Sequence, residues 1–341
     1  MDGVLTVNQL RAGGMTRPFV DLLPRIDGLV GLRQTSLLDD SRLTRIHAAI
    51  VAAPTGAILS GWAAAALHGI PSDFLDGTSD GTQPRPVEFI VSPDGGAYER
   101  DGLRLRWAPC RVEDLVRYHG QLVTNGMRTA ADLTRWAKYP EKALAAIDMS
   151  LRHGLTTRFE LEQLQVPQMK GYRGIQLLRD ALVIASDRAE SPRESELRYY
   201  WLESGLPSPQ VNAEVYDMHG RLMGRIDLLD DESGYGAEYN GHWHEMWDRP
   251  QRDVLRLAGL RSLNLTMDEY TKVDVGGLGI GRINSRLRAG YALAVARDGR
   301  HDAFRISTPS LGSQEGQHTV PRFDRKVVAA SSTSVGVLVN E

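Results

Sequence analysis

Residues 222–239 read as two apolar strands around an acidic loop, and each strand carries one carboxylate in its apolar run. The strands are "LMGRIDLL" (222–229) and "YGAEY" (235–239). Asp230, Asp231, Glu232, Ser233 and Gly234 between them are turn formers, so the segment reads as a hairpin. A loop symmetric about Glu232 and Ser233 pairs 229 with 236, 228 with 237 and 227 with 238. Asp227 then faces Glu238, with Cβ atoms about 4.5–5.5 Å apart. Like charges directly opposite destabilise a sheet. A hard divalent cation removes that penalty and takes oxygen ligands, Mg²⁺ at about 2.0–2.1 Å. Asn240 follows on the same face as Glu238, because strand side chains alternate. A plain ion-pair network is the alternative: Asp227 with Arg225 or Arg256, and Glu238 with another arginine.

The flanking segments carry compatible groups. In "ESPRESELRYYWLESG" (190–205), Leu197 and Trp201 form an apolar stripe, and Glu194 lies on it one turn earlier. A carboxylate on the inward face of a helix is costly unless it is paired or metal-bound. Glu196 falls on another face and reads as solvated. After the hairpin comes "NGHWHEMWDRPQRDVLRLAGL" (240–260). His242 or His244 can act as general base or acid, with an ordinary pKa near about 6.5. Arg249, Arg252, Arg256 and Asp253 follow on a helix, where arginine forks can clamp phosphates. "SLNLTM" supplies a further strand with Leu263, Leu265 and Met267 inward. Together these groups suit metal-assisted phosphodiester hydrolysis, with Mg²⁺ or another divalent cation held by Asp227 and Glu238. A zinc site from His242, His244 and Asp248 is a further alternative, but H-x-H alone is not specific and no cysteine is near.

The front of the chain suggests recognition. Residues 5–12 read as a short helix ended by Gly13 and Gly14. A second helix opens at Thr16, with Pro18 in its first turn and Phe19, Leu22, Leu23 and Ile26 on one buried face. Pro24 interrupts that pattern. "LVGLRQTSLL" then reads as a strand or hairpin. Helix, tight turn, helix and β-wing is the order of a winged helix-turn-helix, with Arg17 and Arg25 outward on the second helix and Arg33 on the wing. Two short helices and a hairpin also pack together in many other folds.

Residues 41–185 read as an α/β segment, with helices at 41–53 and 61–69 and strands at 86–92 and 102–107. Amphipathic helices follow in "RTAADLTRWA" and "KALAAIDMSLRHG", and no catalytic constellation is visible among the scattered histidines. The uncharged stretch 50–67 is split by Pro54, Thr55 and Gly56, and reads as two buried helices rather than a membrane span. The opening residues lack the basic n-region of a signal peptide. One cysteine, Cys110, excludes a disulfide framework and fits a cytoplasmic setting. The net charge of −3 does not announce nucleic acid, so any DNA contact depends on local arginine placement. Only five of the 40 basic residues are lysine, and arginine is the better phosphate fork.

The run "ESPRESELR…GLPSPQVNAEVYD…GRIDLL…AEYNGHWH…RDVLRLAGL" resembles the C-terminal domain of proteins related to the very-short-patch-repair (Vsr) endonucleases, of the PD-(D/E)xK superfamily. The resemblance covers roughly residues 186–270. It implies a restriction-endonuclease-like fold. Glu194 is then the helix-borne acid, Asp227 the first metal-binding carboxylate, Glu238 the second acid and His244 the family's histidine, with Asp253 and Arg256 matching a D..R pair. Asn240 stands where the superfamily has lysine. Upstream, "LTVNQLRAGGMTRPFVDLLPRIDGLVGLR", "SGWAAAALHGIP" and "VTNGMRTAADLTRWA" resemble the AbiEi-type antitoxin, a winged-helix regulator of abortive-infection toxin–antitoxin systems. That likeness implies DNA as a partner and a toxin encoded nearby. The expected architecture is α+β: a winged helix-turn-helix at 1–40, an α/β middle domain at 41–185, an endonuclease-like domain with a mixed central sheet at 186–300, and a loose tail at 301–341.

Overall fold

The computed structural model describes residues 4–26, 29–35, 41–71, 83–92, 99, 101–240, 250–277 and 280–307. They form an α+β fold divided into two units. Of the described residues, one unit takes those up to Trp136 and then His153–Leu178; the other takes Ala137–Arg152 and residues 179–307.

The first unit opens with β1 (Val4–Thr6), α1 (Val7–Ala12), α2 (Arg17–Leu22), β2 (Arg25–Ile26) and β3 (Leu29–Gln34). The strands form an antiparallel sheet in the order β1-β3-β2. The first helix starts at Val7, not at residue 5, because Thr6 caps it. Its hydroxyl accepts from the Gln9 amide at 3.1 Å, and the Gln9 side chain accepts from the Thr6 amide at 2.8 Å. The second helix stops at Leu22. Leu23 precedes Pro24 and is extended, as proline requires of its neighbour. The expected buried face of Phe19, Leu22, Leu23 and Ile26 needs a helix reaching 26, and it does not form. Val20 is the buried residue of α2, Phe19 and Leu22 are exposed, and Ile26 packs from β2.

The unit continues with α3 (Ser41–Ala52), β4 (Ile58–Ser60), α4 (Gly61–Leu67), β5 (Val87–Val91), β6 (Leu103–Trp107), β7 (Leu115–Tyr118), β8 (Gln121–Thr124) and α5 (Gly126–Arg135). A five-stranded mixed sheet runs β6-β5-β4-β8-β7. The stretch 50–67 thus contains a strand between its two helices, and α4 is buried on every side, which explains its run of alanines. Val4, Ile26, Leu29 and Leu32 share one core with Ile46, Leu59, Trp62 and Phe89, so the first forty residues have no separate core.

Next come α6 (Pro140–Arg152), α7 (Arg158–Glu160), α8 (Val166–Gln168) and α9 (Ile175–Val183). Thr157 caps α7 with a capping box, as its sequence suggests. The second unit receives α6 and adds α10 (Pro192–Glu203), β9 (Gln210–Asp217), β10 (Leu222–Asp230), β11 (Tyr235–Tyr239), α11 (Pro250–Ser262), β12 (Thr266–Tyr270), α12 (Lys272–Gly277), α13 (Ile280–Val295) and β13 (Phe304–Ser307). Its mixed sheet runs β12-β11-β10-β9-β13, with only β11 and β12 parallel among the described strands. Ala213, Val215, Ile226 and Leu229 of the sheet pack on Leu257, Leu260 and Leu263. Leu263, Leu265 and Met267 are buried as expected, although the strand starts only at Thr266. Residues 304–307 are an edge strand rather than loose chain: Ile306 pairs with Val215 of β9. The "KVVAA" and "SVGVLV" segments lie outside the described residues. No helix among the described residues is long and apolar enough to cross a membrane.

Candidate functional site

The acidic hairpin has the register read from its sequence. Leu228 pairs with Ala237, Leu229 with Gly236 and Asp230 with Tyr235. Asp230 Oδ2 accepts from the Ser233 amide at 3.1 Å and its hydroxyl at 2.5 Å, and Gly234 closes the turn at φ +67°. The ladder stops at Leu228. One residue further, Asp227 Oδ2 accepts from the Tyr239 amide at 2.8 Å. Its other oxygen takes no hydrogen bond among the described residues.

Helix α10 supplies Glu194. Ser191 caps the helix by accepting from the Glu194 amide at 3.2 Å. Glu194 Oε2 accepts from the Glu190 amide at 2.7 Å and from Asn212 Nδ2 at 3.1 Å. The inward carboxylate is therefore braced from the helix N-terminus and from β9. Asn212 holds a left-handed backbone at φ +52° while its amide also donates to the Arg188 carbonyl at 2.8 Å. This positioning residue was missed, because nothing in "QVNAEVY" marks a break in the strand. Glu194 Oε1 takes no hydrogen bond among the described residues.

Three carboxylates lie close enough to sense one another at Asp227. Burial first, and then the charge of Glu194, push the Asp227 carboxyl up to about 8. Glu238 adds a smaller push, while the Tyr239 amide and Arg225 pull the other way. Glu238 itself is closed. Arg256 on α11 grips it with a fork: Nη1 to Oε1 at 2.7 Å and Nη2 to Oε2 at 2.8 Å. The expectation that Asp227 and Glu238 share one cation is corrected to this extent: Glu238 takes the arginine, as the ion-pair alternative allowed. No group of three possible metal donors gathers among the described residues. The donor chemistry still suits a hard cation, since Asp227 and Glu194 each keep one carboxylate oxygen free of hydrogen bonds there.

Asn240 donates its amide N–H to the Tyr270 carbonyl at 2.7 Å and its side chain to Glu269 Oε1 at 3.4 Å. The parallel β11–β12 register sets Glu269 beside Glu238. Glu269 was missed; its only sequence signal is its place in the strand after α11. His242 and His244 lie outside the described residues. Arg252 and Asp253 are on α11, but their side chains are outside the description. Glu196 is not solvated. It is 2% exposed and pairs with Lys142 of α6 at 2.6 Å and Arg193 at 2.8 Å. The partner helix comes from a distant segment, so periodicity alone could not show the contact.

In the first unit Arg17 is exposed at α2, within 3.8 Å of Asp21, and Arg25 is exposed on β2. Arg33 does not point outward. It is 8% exposed, and its guanidinium donates to the carbonyls of Val20 at 3.1 Å and Leu32 at 2.9 Å. It ties β3 to α2, since the adjacent helix end leaves a carbonyl to satisfy.

A charged cluster that sequence reading missed lies in the same unit. Arg128, wholly buried, meets Asp114 at 3.0 Å and Asp132 at 3.0 Å, and donates to the Pro109 carbonyl at 2.9 Å. Arg111 and Arg135 complete it on Asp114 and Asp132, and Ser60 donates to Asp132 at 2.9 Å. These partners satisfy one another, so the cluster is internal structure. The spacing of Arg128, Asp132 and Arg135 along one helix was its only signal.

The uncharacterized proteins MT2308 and Rv2248, from two strains of Mycobacterium tuberculosis, are each 32% identical to this chain over 216 residues, covering 62% of it and 73% of theirs. No family model and no solved structure matches it. The chain belongs to the same family as these two mycobacterial proteins.

Proposed function

We propose that this is a cytoplasmic DNA-binding protein whose second unit cleaves DNA phosphodiester bonds with a divalent cation. One observation carries the reading. Asp227 has no cationic hydrogen-bond partner among the described residues, and the charges of Glu194 and Glu238 reach it in its buried setting. A fold tolerates such crowding of acids when they serve chemistry. The succession α10, β9, β10, β11, α11, β12 supports the likeness to the Vsr-related endonucleases. Asp227 and Glu194, each with an oxygen free of hydrogen bonds among the described residues, would hold Mg²⁺, and Glu238 would join them once Arg256 lets it go; the ion would supply charge for the scissile phosphate and a more acidic bound water. Asn212 orients Glu194, and the Tyr239 amide orients Asp227. Arg252 and Arg256 on α11 would face phosphates, and His244 would move the proton. Arg17 and Arg25 would touch the DNA backbone from the winged-helix region.

The test is nicking of plasmid DNA with Mg²⁺ or Mn²⁺, by the protein and by Asp227→Ala. The protein nicks, and the variant loses at least about a hundredfold, the usual scale for removing a group that stabilises the transition state. Equal nicking by both sinks the reading, as does cleavage by neither.

The Glu238–Arg256 fork favours a second reading: a non-catalytic DNA-binding regulator, the antitoxin of a type IV abortive-infection system, with a toxin as partner. It requires salt-dependent binding to DNA without cleavage. Arg17→Ala would then lower the slope of log affinity against log salt by about one.

A further inference from the structure

The geometry points to Arg256 as a built-in counter-cation that keeps Glu238 shut until a DNA phosphate draws the guanidinium away. The inference rests on the proposed nuclease reading and adds a control step to it.

Three observations support a movable arm rather than a fixed brace. The fork occupies both oxygens of Glu238, at 2.7 and 2.8 Å, so a metal at this carboxylate must compete with a guanidinium for them. The two partners differ in access: the Glu238 side chain is 8% exposed and that of Arg256 is 30% exposed. A guanidinium with a wet side can exchange one anion for another, and phosphate oxygens match its fork as well as a carboxylate does. Finally, the arm crosses β10 at a glycine. A Cβ on Gly224 would meet Arg256 Cγ and Cδ at 3.4 Å, and the β9–β10 ladder shifts register between Leu222 and Gly224. The strand thus leaves a bare stretch under the arm. The consequence is coupling. DNA releases Glu238 to join Asp227, and the cation in turn keeps Arg256 on the DNA. Such coupling is reciprocal by linkage.

Three measurements on the full chain test this: Ca²⁺ affinity by calorimetry without DNA, duplex affinity by fluorescence anisotropy with and without Ca²⁺, and both again for Arg256→Gln. Ca²⁺ takes oxygen ligands and serves as the probe. In the protein itself, Ca²⁺ tightens DNA binding by at least about tenfold, within the usual range of such couplings. Arg256→Gln binds Ca²⁺ at least about tenfold more tightly without DNA, and its DNA binding no longer responds to Ca²⁺. A brace serving only structure would lower stability and leave Ca²⁺ affinity unchanged or weaker. If Arg256→Gln does not fold, as judged by circular dichroism, the first coupling decides alone. DNA and Ca²⁺ bound independently by the unaltered protein overturn the gate and leave the nuclease reading standing. No Ca²⁺ bound in any arm overturns both.

Discussion

Asp227 shows most directly how the fold sets the chemistry of one group. Its carboxyl is raised to about 8, by burial first and by Glu194 second. A native pKa above the unfolded value means that the folded chain holds a proton that the unfolded chain has released. The stabilisation is complete below the ordinary carboxylate pKa and is lost as pH rises through about 8. Asp227→Asn should therefore narrow the difference between the unfolding free energies from urea titration at pH 5 and pH 9, by at least about 1 kcal/mol, since one pKa unit is about 1.4 kcal/mol. Parallel free-energy curves for the two proteins would remove Asp227 as the source. The residue scale also shows where sequence reading succeeded and failed. The 228/237 register was legible because turn chemistry and alternation fix it. An arginine on Glu238 stood only among the alternatives, and Arg256 was offered there to Asp227, because spacing cannot choose between a cation and a guanidinium.

Individual elements were legible where their cause is local. The helix of α10 was visible in its stripe of Leu197 and Trp201. The end of α2 follows from Pro24, yet the apolar pattern running past it suggested a longer helix. What stayed hidden was the inner side of α5. Arg128 and Asp132 are wholly buried, because the turn before β7 brings Asp114 and the end of β4 brings Ser60 to them. Removing Arg128 leaves two buried carboxylates with only Arg111 and Arg135 as cations. Arg128→Met should thus cost about 3–5 kcal/mol. Chemical denaturation measures it, and a loss under about 1 kcal/mol would mean that water reaches Asp114 and Asp132. DNA affinity at a temperature where the variant is folded should not change, since this cluster touches no proposed contact.

At the scale of the whole chain, strand count was harder to read than domain character. The α+β class was legible in the helical and strand patterns, while the mixed sheet of the second unit was expected only from the likeness to the Vsr-related endonucleases. The edge strand β13 did not, because four residues, "FRIS", carry too little pattern to stand out. It pairs with β9 through Phe304 opposite Asp217 and Ile306 opposite Val215. A chain ending at Ser307 should keep the unfolding midpoint of this unit, whereas one ending at Arg300 should unfold earlier, by about 1–3 kcal/mol for one lost ladder and its packed Ile306. Equal midpoints would make the strand ornamental.

Helix α6 has a consequence for descent. Asp148 on it pairs with Arg198 at 2.6 Å, and Lys142 with Glu196, so the rear unit borrows a wall from sequence that lies well before its own start. A recombination event that copied only the DNA from α10 onward would leave the buried Arg198 without its carboxylate and Glu196 with Arg193 alone. Inheritance of these two parts is thereby linked, and the second unit can pass to another gene intact only if the crossover point lies upstream of Pro140.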